Sequence, residues 1–126
     1  MNSKLIAPCG MNCSLCVAYL REKNKCPGCR LIKNDKSISR LICKIKNCDV
    51  IRENNWKYCS VKCKEFPCDR LKSLDKRYRA KYKMSMIDNL GDIEKKGIRK
   101  FIHMEENKWI RGNKIFCVHN KKYYKQ

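Results

Sequence analysis

The sequence predicts a mainly α fold with irregular, cysteine-rich zinc-knuckle loops, a small domain stapled by metal. Three observations predict it. Ten of the eleven cysteines fall between residues 9 and 68 in close pairs. Apolar residues recur at helical spacing from residue 69 to about 109. A chain of 126 residues that is 43% apolar can build only a modest core, so a second stabilising device is expected.

Residues 1–68 read as short turns and helix fragments strung between metal knuckles, punctuated by Pro8, Gly10, Pro27, Gly28 and Pro67. Cysteine enrichment of this kind has two ordinary explanations, a secreted disulfide framework or an intracellular metal site. Pairs two residues apart, such as Cys13/Cys16 and Cys26/Cys29, present two thiolates to one ion but rarely close into a good structural disulfide. The start, MNSKLIAPCG, lacks the apolar run of a signal peptide, and no stretch approaches the roughly 20 apolar residues of a membrane span. A cytoplasmic protein without membrane contact is the expectation.

Two four-cysteine sites are the simplest partition. Cys13, Cys16, Cys26 and Cys29 form the first set, with Cys9 as the substitute ligand; Cys43, Cys48, Cys59 and Cys63 form the second, with Cys68 as substitute. Zinc has no geometric preference of its own, so the chain must supply the tetrahedron, and short loops do this at little closure cost. The expected cofactor is two zinc ions; an iron–sulfur cluster is the alternative, since cysteine alone can hold one. Cys9-x3-Cys13-x2-Cys16 has the spacing of the radical S-adenosylmethionine motif, yet the chain shows none of the strand–helix alternation that such a barrel needs.

A catalytic zinc keeps an open position and usually takes histidine or carboxylate ligands. His103 falls within a helical pattern and His119 lies outside the cysteine spacings, so neither is given a catalytic role. Cys68, at the start of a helix, is the one position suited to a reactive thiol. The sites are read as structural and the protein as a non-catalytic binding or adaptor protein; a thiol-redox or iron–sulfur protein of an anaerobic cytoplasm is the rival.

Residues 69–126 read as a helical half packed with 1–68 into one unit. The first helix is expected from about Asp69, as N-cap, to Tyr82, with Leu71, Leu74, Tyr78 and Tyr82 on one face. Ser85 caps a second, with Asp88 completing a capping box, and Gly97 ends it. The third follows at once, with Ile98, Phe101, Ile102, Glu105 and Trp109 on one face. A short strand over Ile115 to Val118 is expected, and the final KKYYKQ should fray.

Opposite the apolar stripe of the first helix lie Lys72, Lys76, Arg79 and Lys83, a cationic ridge. The formal charge of +19 falls to about +15 once two tetrathiolate sites are counted, and still favours a polyanion. RNA or DNA is thus the expected partner class, contacted through that ridge, with Tyr19, Trp56, Tyr58 and Phe66 as stacking platforms. An unidentified protein partner fits the charge as well.

The strings LIAPCGMNCSLCVAYLREKNKCPGCR, CKIKNC, KEFPCDRLKSLDKRYRAKYKMSMIDNL and FCVH resemble the bacterial and archaeal family known as domain of unknown function 3795, over nearly the whole chain. The resemblance implies a compact prokaryotic protein that binds zinc, and it carries no established activity. In that family pattern a paired-cysteine knuckle follows the tryptophan and another lies near the C-terminus, like a small zinc ribbon around FCVH. Here Trp109 to Asn113 reads WIRGN and only Cys117 remains, so a third site is not expected.

Overall fold

Helix α3, Asp69–Tyr82, buries Leu71 and half-buries Leu74, Tyr78 and Tyr82, the stripe that the spacing predicts. The computed structural model describes residues 1–23, 25–29, 45 and 47–125. Among the described residues, two short α-helices precede α3, namely α1 (Val17–Leu20) and α2 (Asp49–Glu53), and two follow it, α4 (Met86–Lys96) and α5 (Ile98–Trp109). About half of the described residues are helical.

The helix ends obey local chemistry, with one correction. Cys68, not Asp69, is the N-cap of α3, and Asp69 stands in the first turn, where its charge meets the positive end of the helix. Lys83 adopts the left-handed conformation that stops α3. Ser85 caps α4 by accepting the Asp88 N–H at 3.0 Å. Gly97, with φ of +84°, ends α4 and starts α5.

A second correction concerns the C-terminus. Strands β1 (Ile110–Arg111), β2 (Lys114–Phe116) and β3 (Tyr123–Lys125) form an antiparallel sheet in the order β1-β2-β3. The tail therefore does not fray up to Lys125: Phe116 pairs with Tyr123, Ile115 with Tyr124 and Lys114 with Lys125. Packing supplies the reason. Trp109 and Phe116 stack with ring centres 5.6 Å apart, Tyr123 meets Phe116 edge-on at 5.3 Å, and Cys117 N–H reaches the Lys122 carbonyl at 2.8 Å.

The N-terminal segment lies against both later layers. Ile6, fully buried, packs with Ile93, Phe101 and Ile102 of α4 and α5. Leu15, also fully buried, shares the main core with Leu71, Met86, Leu90 and Ile115, and its carbonyl accepts the Val118 N–H at 3.1 Å. Each such side chain contributes roughly 1.5–3 kcal/mol by leaving water.

Gly10 permits the closest of these approaches. Its φ is +91°, and a Cβ there would lie 3.0 Å from Leu90 Cγ and 3.1 Å from the Met86 carbonyl oxygen. The Gly10 carbonyl in turn accepts Asn89 Nδ2–H at 3.0 Å. The PCGMNC turn is thereby pinned to α4, with Cys9 and Cys13 on either side of the contact.

Candidate metal centre

The cysteine-bearing segments are short and irregular, and their backbone bonds set where the thiols go. Gly10 N–H to Ala7 and Ala7 N–H to Met11 close the turn that carries Cys9. Asn12 caps the one-turn helix Cys13–Leu15 by accepting Ser14 N–H. Cys16, Cys48 and Cys68 occupy the N-cap positions of α1, α2 and α3. In the Cys26-Pro-Gly-Cys29 turn, Gly28 N–H points at Cys26 Sγ over 3.4 Å.

The thiols fall into two groups. In the first, Cys13 Sγ lies 3.6 Å from Cys29 Sγ. That is far beyond a disulfide bond and close to the edge of a zinc tetrathiolate, about 3.8 Å for zinc–sulfur bonds of about 2.3 Å. The hydrogen bond to Cys29, then burial, then the negative charge that Cys29 and Cys9 would carry push the Cys13 thiol well above its ordinary range. Cys9 and Cys16 face Tyr78, whose hydroxyl is raised first by burial and then by those two thiols.

The second group is better gathered. Cys48, Cys59, Cys63 and Cys68 line one cavity of about 400 Å³, closed on its apolar side by Ile51, Trp56 and Phe66. Burial, then Cys68, Cys48 and Cys63 in that order, push the Cys59 thiol up to about 11. None of the ten described cysteines is in a disulfide. Among the described residues, no three His, Cys, Asp or Glu side chains stand close enough together to enclose an ion as they are.

Set against the sequence reading, the structure brings Cys13 and Cys29 together, places Cys9 beside them, and places Cys68 with Cys48, Cys59 and Cys63. Cys26 is buried, and nothing described joins its sulfur to the other thiols. Cys43 lies outside the described residues. Lys72, Lys76 and Lys83 are exposed, whereas the Arg79 guanidinium is engaged by Asp75, Ser85 and Asp88. Tyr19, Trp56, Tyr58 and Phe66 are half-buried against the main core.

A polar arrangement that the spacing did not suggest stands beside the first group. Val17 N–H donates to His119 Nδ1 at 3.2 Å, and His119 Nε2 lies 3.2 Å from the Tyr78 hydroxyl. A backbone N–H can only donate, so Nδ1 is the acceptor and the neutral ring carries its proton on Nε2. The signal in the sequence was weak: His119 is 102 residues from Val17.

The model for the family described as Protein of unknown function (DUF3795) matches residues 5–73, more than half of the chain. The chain belongs to that family. The DUF3795 match contains all ten cysteines from Cys9 to Cys68 and ends within α3, so it is narrower than the resemblance read from the sequence; α4, α5, the sheet and His119 lie beyond it. No curated protein and no solved structure matches the chain. Among the described residues, no helix is long and apolar enough to cross a membrane.

Proposed function

We propose that this protein is a small, non-catalytic binding or adaptor protein whose loops are held by two structural, cysteine-bound zinc ions, with nucleic acid as its partner. One observation carries the metal reading: four cysteines from three separate segments, Cys48, Cys59, Cys63 and Cys68, line a single cavity in which burial and the neighbouring thiols oppose ionisation of Cys59. Crowded thiols of this kind stay protonated unless a cation offsets their charge, and zinc supplies that charge when bound. The residues fit it, with sulfur as the whole donor set and Cys48 and Cys68 held at the N-cap positions of α2 and α3. The first ion falls to Cys13 and Cys29, with the remaining ligands drawn from Cys9, Cys16 and Cys26.

The partner reading is supported by charge. Lys72, Lys76 and Lys83 leave α3 exposed on the side away from the core, on a chain of formal charge +19. Binding through such a ridge weakens steeply with salt and on reversal of Lys72 and Lys76. The metal reading is tested by elemental analysis and absorbance on protein purified without oxygen. About two zinc per chain and no visible colour is the expected result. Iron, with a broad band near roughly 400 nm, overturns it in favour of an iron–sulfur protein.

A further inference from the structure

The C-terminal sheet carries an arrangement that neither the metal sites nor α3 requires. Its register sets Arg111 opposite Lys114 and Lys114 opposite Lys125, so three cations stand in one row across all three strands. Like charges directly opposite one another destabilise a sheet. All three residues are exposed, and none has an ion pair among the described residues. At a strand spacing of about 4.8 Å the row spans about 10 Å. That is comparable with the distance over which salt screens charge, so the three act as one positive field.

An aromatic row runs beside the cationic one. Phe116 and Tyr123 are cross-strand partners, and Trp109, at the end of α5, stacks on Phe116. Trp109 also has the Lys108 ammonium 4.9 Å from its ring centre, and Phe116 is covered by Trp109 and by Tyr123. Tyr123 remains 51% exposed and ends the row. The opposite face of the sheet is turned inward, with Ile115 buried and Tyr124 half-buried.

We propose that this face, Arg111, Lys114 and Lys125 beside Phe116 and Tyr123, binds single-stranded nucleic acid, with phosphates on the cationic row and an unstacked base on Tyr123. The inference rests on nucleic acid as the partner and adds the form that is bound. A ridge of lysines on α3 meets the phosphates of single strands and duplexes alike. A stacking platform takes only a base that is free to leave its neighbours, so the sheet selects the single strand. Charge complementarity argues for a polyanion, and the aromatic row argues for one that carries flat rings.

The test is fluorescence anisotropy of the full chain with labelled oligonucleotides of about 12 nucleotides, single-stranded and duplex, over a salt series. Lys114→Ala/Lys125→Ala should flatten the slope of log K against log salt for the single strand by about 1.4, at about 0.7 per phosphate contact. It should melt no lower than the parent, because facing like charges are removed. Tyr123→Ala should weaken single-strand binding by roughly five- to a hundredfold and leave duplex binding unchanged. If the sheet variants bind as the parent does while Lys72→Glu/Lys76→Glu abolishes binding, the face is wrong and the nucleic-acid reading stands. If no oligonucleotide binds, both fall; if phosphatidylserine vesicles then bind through the same sheet residues, the face belongs to a membrane surface.

Discussion

The backbone N–H of Cys59 donates to the carbonyl of Pro8 over 2.8 Å, which ties a residue of the second cysteine group to the neighbour of Cys9 in the first. The two groups are therefore coupled mechanically, and Cys68 belongs on the Cys59 side of that tie. Cys68→Ser should lower bound zinc from about two to about one per chain. The loss should also lower the melting temperature of the whole chain, because metal binding energy is folding energy in sites of this kind. Metal content read alongside a thermal melt checks both; zinc that stays near two would move the fourth ligand to Cys43.

Asp75 joins α3 to α4. It is 4% exposed and accepts from Ser85 Oγ at 2.7 Å and Ile87 N at 3.0 Å, with Arg79 on its other oxygen. Burial pushes its carboxyl up, but the bonds from Ile87, Ser85 and Arg79 outweigh this and hold it below the usual carboxylate range. Asp75→Asn should cost roughly 2–4 kcal/mol near neutral pH, as a charged hub loses its bonds. A group lowered in the folded state stabilises above its unfolded value, about 3.9, and loses that contribution as pH falls through the folded value. Denaturant melts of parent and variant should thus differ by a constant amount above about pH 5 and converge below about pH 4.

Gly10 and Gly91 make a contrasting pair. Gly10→Ala meets Leu90 and the Met86 carbonyl at a positive φ, and should destabilise by roughly 2–4 kcal/mol through strain and overpacking. Gly91, inside α4, has nothing within 4 Å of a new Cβ, so Gly91→Ala should stabilise by roughly 0.5–1 kcal/mol. Urea midpoints measured side by side decide both, and equal shifts would show that the PCGMNC turn is not seated on α4.

The bond from Val17 N–H fixes the His119 tautomer, with Nδ1 bare and Nε2 protonated. Long-range nitrogen–proton correlation spectra should show that pattern in the folded protein. Tyr78→Phe leaves the Nε2 proton without its acceptor and should cost about 1 kcal/mol. A ring protonated on Nδ1 would contradict the arrangement.

The helical half was legible because each boundary carried a local signal. Ser85, Gly97 and the period of Leu71, Tyr78 and Tyr82 act within four residues of themselves, so α3, α4 and α5 emerge close to where the spacing places them. The one-residue slip at Cys68 reflects a thiol in a position where Asp69 is the more familiar cap. Asp75 was legible only in part: it sits four residues from Leu71, on the buried face, but no local rule says that Ser85 and Ile87 will return to bond it.

By itself the sequence determined the cysteine-rich family, the ten crowded cysteines and the net charge, because composition and short spacings survive without a third dimension. Tertiary structure decided which thiols meet. Cys68 lines one cavity with Cys48, Cys59 and Cys63, and the bond of Cys59 to Pro8 ties that group to the first, a contact between residues tens of positions apart that no local period encodes. It also turned the tail into a strand, since Tyr123 gains an aromatic neighbour only after Phe116 and Trp109 are in place. Spacing limits which groups can meet nearby in the chain, whereas burial selects which distant ones do.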